Sequence, residues 1–115
     1  MYISTVNQEQ LKNTKMENTT FKTKTGKTLY LTIHANERQI ERNLLKIDLQ
    51  AALDRAITIN RDNAHKYGMF ETFRNKMSSY DQNHIQIIIN PYYNVQFRVD
   101  TTNGNIVTLI KYKNQ

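Results

Sequence analysis

His34, Glu37, Arg38, Glu41 and Arg42 place an imidazole, two carboxylates and two guanidinium groups within one short segment. At about 100° per residue, His34, Arg38 and Arg42 fall at roughly 0°, 40° and 80° around a helix axis and form one stripe. Cutting a phosphodiester without a metal needs a base for the 2′-hydroxyl proton, cations for the charge that develops on the phosphoryl oxygens, and an acid for the leaving oxygen. His34 is the candidate base or acid, Arg38 and Arg42 are the candidate clamps, and Glu37 could orient the imidazole or act as base itself. The same residues also suit a plain solvated face. Arg38 and Arg42 would then pair with Glu37 and Glu41 for only about 0.2–0.5 kcal/mol each, and His34 would serve as a polar group at the helix start.

The elements that must carry this stripe can be read outward from it. Thr32 has the side chain and position of an N-cap, which sets His34 in the first turn near the positive end of the helix dipole, where a neutral imidazole is favoured. Asn43 tolerates the left-handed conformation, so the helix should stop near Arg42. Ile40, Leu44 and Ile47 follow the spacing of a core-facing seam. Asp48 reads as the N-cap of a second helix, with Leu49, Ala52, Leu53, Ala56 and Ile57 as its buried stripe. Upstream, 28–33 is rich in β-formers and follows a turn at Gly26. Gly26-Lys27-Thr28 resembles the end of a phosphate loop, but the glycine a Walker A motif needs is replaced by Phe21, so a turn between strands is the better account.

Downstream, 85–89, 95–100 and 106–112 read as a three-strand antiparallel meander closed by Asn103-Gly104, a strong hairpin signal. A two-residue turn there sets Arg98 opposite Leu109 and puts Phe97, Val99, Ile106, Thr108 and Ile110 on one face, with Gln96, Arg98 and Lys111 on the other. A bulge shifts the register by one and brings Arg98 across from Thr108. Both registers fit the sequence. Arg98, Lys111 and Tyr112 are the candidate substrate-binding residues of this sheet.

Between helices and meander, 60–83 interleaves His65, Tyr67, Met69, Phe70, Phe73, Met77 and Tyr80 with Arg61, Lys66, Arg74 and Lys76. Packing at helical spacing explains Met69, Phe70, Phe73 and Met77, and base stacking is the alternative for the tyrosines. Residues 1–20 are polar and read as an N-terminal arm, which leaves 21–115 as a single α+β domain. Local helices followed by strands predict two N-terminal helices packed on a C-terminal antiparallel β-sheet.

The chain has 115 residues, a net charge of +6 and no cysteine. That charge suits RNA or an acidic partner, while the lack of cysteine excludes disulfides, thiolate metal sites and a cysteine nucleophile. His65 and His84 stand in no metal-binding spacing, so neither a metal nor another cofactor is expected. No window approaches the ~18 apolar residues of a membrane span, and 1–20 lacks the apolar stretch of a signal peptide.

The run from Leu29 to Leu44 also resembles the opening of a bacterial and phage domain family of unannotated function. Its members run Ser or Thr, one residue, His-Ala, two residues, Arg, three residues, then Arg-Gly-Ile; here the glycine is Asn43. That family is placed in the barnase, EndoU, colicin and RelE nuclease superfold of small metal-independent ribonuclease toxins. The likeness extends to about Ile57 and to Ile106-Val107-Thr108-Leu109-Ile110, similar to the family's closing strand. It implies a barnase/RelE-like fold, with His34, Arg38, Arg42 and the Thr108 hydroxyl at the site. RNA, with transfer RNA one candidate, would be cut by 2′-hydroxyl transesterification. An acidic immunity or antitoxin protein would be the partner, and the site of action cytoplasmic, with delivery as part of a secreted toxin a further route. The competing expectation is a non-catalytic phage or bacterial inhibitor whose basic face blocks a host enzyme or a nucleic-acid complex.

Overall fold

The computed structural model describes residues 15–74 and 78–113. A hairpin of β1 (Lys15–Lys22) and β2 (Thr28–Thr32) comes first and runs directly into helix α1 (Ile33–Glu41) and then α2 (Leu49–Asp54). The short strand β3 (Ile57–Thr58), helices α3 (Phe70–Arg74) and α4 (Ser79–His84), and the meander β4 (Ile85–Asn90), β5 (Val95–Asp100) and β6 (Asn105–Lys111) complete the chain. All six strands join one sheet in the order β1-β2-β6-β5-β4-β3.

This corrects the expected arrangement of two N-terminal helices on a C-terminal antiparallel sheet of barnase/RelE-like form. The fold is broadly α+β, but two strands precede the helices, and β1 begins within the stretch expected to be an arm. Moreover, β2 pairs in parallel with β6 through Tyr30–Asn105 and Leu31–Ile106, so the sheet is mixed. The strand expected at 28–33 is present, but pairing across some seventy residues leaves no trace in local periodicity, so nothing in the sequence joined it to the downstream sheet.

The caps follow local chemistry. The Thr32 hydroxyl accepts from the Ala35 N–H at 3.1 Å and donates to the Ile106 carbonyl at 2.7 Å, so one side chain starts α1 and ties it to β6. Asp48 accepts from the Ala51 N–H at 3.1 Å, and Asn43 adopts φ 59° after the C-cap Arg42. The expected apolar seam is only partly realised. Leu44 is buried and Ile47 packs against the core, but Ile40 is 52% exposed, while Ala35 and Gln39 form the inward side of α1. Leu49, Ala52 and Leu53 are buried on α2 as expected, whereas Ile57 leaves the helix for β3.

Two cores lie on opposite faces of the sheet. On one face Leu29, Leu31, Val95, Phe97, Val99 and Leu109 pack under α2 and the inward side of α1. On the other, Ile87, Ile89 and Tyr112 are covered by Ile59, Ala64 and Met69 from the segment that precedes α3. Met69 and Phe70 thus pack as expected, and His65 stacks on Phe70 at 4.0 Å. Met77 and the side chain of Phe73 lie outside the described residues.

Candidate functional site

The β5–β6 register decides which side chains can meet. Arg98 pairs with Thr108, whereas Val99 pairs with Ile106, so β6 carries an extra residue at this point. The bulge turns Thr108 onto the face opposite Ile106, because it interrupts the alternation that would otherwise keep the two together. Gln96, Arg98, Thr108 and Ile110 therefore share the face that carries Ile87 and Ile89. Lys111 pairs with Val95 and points to the other face, away from Arg98.

Helix α1 approaches this floor from the β6 side. β2 leaves β6 after Ile106, and α1 runs beside the rest of the strand. The Arg42 Nη1 donates to the Leu109 carbonyl at 2.5 Å and lies 3.4 Å from the Thr108 hydroxyl. It supplies that carbonyl with a donor where β2 no longer runs, as a ladder partner would.

Arg98 is half-buried, and its Nε donates to Gln96 Oε1 at 2.9 Å. Burial pushes its guanidinium below the usual arginine value, the nearby positive charge of Arg42 pushes the same way, and Asp81 on α4 opposes both. It stays cationic at any physiological pH. Arg42 thus reaches the Thr108 hydroxyl from α1, while Arg98 stands at the β5 position paired with Thr108, within electrostatic range of both Arg42 and Asp81.

The remaining residues of the α1 stripe make local pairs. His34 Nδ1 stands 3.8 Å from Glu37 Oε1, an ion-pair separation for a protonated imidazole and longer than a hydrogen bond. Arg38 Nη1 bonds Glu41 Oε2, and this hydrogen bond, assisted by the positive charges of Arg38, Arg42 and His34, holds the exposed Glu41 carboxyl below the usual range. Along the helix His34 and Arg42 are about 12 Å apart at ~1.5 Å per residue, the span of roughly two phosphates.

Tyr112 is 2% exposed and its hydroxyl donates to the Tyr67 carbonyl at 2.7 Å, so it packs the second core. Lys111 is exposed beside it. Sequence reading missed Gln96 and Asp81, which touch the site only through Arg98. Their one signal was alternation in β5 for Gln96; nothing local marked Asp81.

Among the described residues no group of three or more His, Asp or Glu side chains is placed to hold a metal ion, and no helix is long and apolar enough to cross a membrane. No family model matches the chain, and no curated protein and no solved structure matches it.

Proposed function

We propose that this protein is a toxin-like ribonuclease that cleaves RNA by attack of the 2′-hydroxyl on the adjacent phosphate, without a metal. The observation that carries the reading is the approach of Arg42 to the Thr108 hydroxyl, with Arg98 at the strand position paired with Thr108. Holding two guanidinium groups together in a half-buried setting is costly unless an anion joins them, and a phosphodiester is the anion that planar, bidentate donors recognise well. Arg42 and Arg98 would hold the oxygens of a flanking phosphate, and Thr108 would add a hydrogen bond to it. About two phosphates further along the strand, Arg38 released from Glu41 would meet the scissile phosphate, and His34, with Glu37 beside it, would take the 2′-hydroxyl proton there or return one to the leaving oxygen. On this reading the protein acts in the cytoplasm, transfer RNA is one candidate substrate, and an acidic immunity or antitoxin protein is needed to cover the basic face.

The local pairing of Arg38 with Glu41, and the use of Arg42 on a backbone carbonyl, favour the second reading, a non-catalytic module that binds through this face. The test is cleavage of total bacterial RNA by purified protein in EDTA beside His34→Ala. Discrete fragments that vanish in the variant are expected. Intact RNA from folded wild-type protein would leave the binding module in place of the enzyme.

A further inference from the structure

Tyr92 is 85% exposed, more than any other large hydrophobic side chain reported for the described residues. Its position is nevertheless rigidly set. Asn90, itself 2% exposed, donates Nδ2 to the Ala52 carbonyl at 2.9 Å, which anchors the β4–β5 turn to α2. Its Oδ1 accepts from the backbone N–H groups of Tyr92 at 2.9 Å and Tyr93 at 3.0 Å. The turn closes at Asn94, with φ 56°, whose carbonyl accepts from the Tyr112 N–H at 2.8 Å. Three hydrogen bonds of a buried side chain thus fix the backbone that presents this ring to solvent, so a ligand that stacks on it meets a turn already ordered.

The surroundings name the ligand. Tyr93 meets the Tyr92 ring edge-on at 5.1 Å and lines two adjoining concavities of about 690 and 330 Å³. Arg55 lies along the first, and Lys111 and Lys113 along the second. Asp54 is the one carboxylate in either lining, and it already accepts from Gln50 Nε2 at 2.9 Å. An exposed aromatic ring on an anchored turn, flanked by cations, is the pattern that stacks unpaired bases while it tracks their phosphates, whereas in a duplex the base faces are covered by their neighbours.

We propose that the β4–β5 turn is a stacking platform for single-stranded nucleic acid, with Tyr92 as the base-stacking ring and Arg55, Lys111 and Lys113 as phosphate contacts. The choice of polymer rests on the RNA reading above. Asn43, the residue after Arg42, lines the same concavity as Lys111, so a strand held at the platform has a path toward Arg42.

The experiment is fluorescence anisotropy of a labelled ten-nucleotide oligodeoxythymidine with the full chain at low salt, for wild type, Tyr92→Ala and Tyr92→Phe, beside a duplex of equal length. Binding about tenfold weaker in Tyr92→Ala, retained in Tyr92→Phe, and weaker for duplex than for single strand is expected. Equal affinity of wild type and Tyr92→Ala, or no binding of the strand at all, overturns the platform. So does a Tyr92-dependent complex with an acidic protein in place of strand binding. A deoxy strand lacks the 2′-hydroxyl, so the two readings fail separately. Tyr92-dependent binding with RNA left intact overturns the ribonuclease and keeps the platform; RNA cleavage with Tyr92-independent binding does the reverse.

Discussion

The Arg42 guanidinium bonds the carbonyl of Leu109 across sixty-seven residues of chain, at the point where α1 replaces β2 beside β6. One side chain thereby closes the flank of the sheet and brings a cation to Thr108. Its structural and proposed functional roles use the same contact, and separating them takes stability and activity measured on the same variants.

Arg42→Ala leaves the Leu109 carbonyl without its charged donor, and a lost hydrogen bond of that kind costs about 1.5–3 kcal/mol, toward the lower end for a half-buried group. A lower urea midpoint with an unchanged slope is expected. Arg42→Lys can keep the carbonyl contact through one ammonium donor but loses the planar fork, so it should recover much of the stability and little of the RNA cleavage.

Arg98 should show the opposite balance. Burial and Arg42 disfavour its charged form against the attraction of Asp81, so Arg98→Met removes a partly buried cation and replaces it with apolar volume of similar length. The variant is expected to match wild-type stability or exceed it by up to about 1 kcal/mol, while RNA cleavage falls at least tenfold. A strongly destabilised Arg98→Met would mean that the Gln96 and Asp81 contacts make it a structural arginine.

Gly104 adopts φ +79°, and a Cβ there would stand 2.6 Å from the Thr28 backbone carbonyl. Its own carbonyl accepts from the Tyr30 N–H at 2.9 Å, at the junction of β2 with β6. Gly104→Ala should cost more than about 1 kcal/mol, since both the left-handed backbone and the close approach are penalised. Faster amide exchange at Tyr30 and Leu31 than in β4 and β5 would locate the damage at that junction.

Tyr112 sets an alkaline limit. Burial, with the neighbouring Tyr67 adding to it, raises its phenol above the usual value near 10. The folded state therefore binds this proton more tightly than the unfolded chain. The resulting stability is complete below the unfolded-state pKa and is lost as pH rises through the folded-state value above it. Urea melts at rising alkaline pH should show that loss, and Tyr112→Phe should flatten it while costing about 1 kcal/mol at neutral pH through the Tyr67 carbonyl.

Much of the local architecture could be read from residue order alone. Thr32, Asp48 and Asn43 mark helix ends because a cap is satisfied by atoms two or three residues away, and Gly26 and Gly104 mark turns because few residues accept their left-handed backbone angles. The three strands of the meander follow from their β-rich composition and the turns between them. The stripe of His34, Arg38 and Arg42 follows from helical spacing, and so does the possibility that its charges pair within the helix, as Arg38 does with Glu41.

Tertiary structure decided the rest, because it depends on contacts between residues far apart in the chain. Both hairpin registers were open until the bulge in β6 set Thr108 beside Arg98 and sent Lys111 to the other face. Ile40 kept its place in an apolar spacing yet lies exposed, since Ala35 and Gln39 turn inward instead. The parallel pairing of β2 with β6, the Arg42 bond to Leu109 and the anchoring of Asn90 to Ala52 each join segments tens of residues apart. Periodicity records which face of an element is apolar; it holds no information on which distant carbonyl that element will meet, as Arg42 meets that of Leu109 and Asn90 that of Ala52.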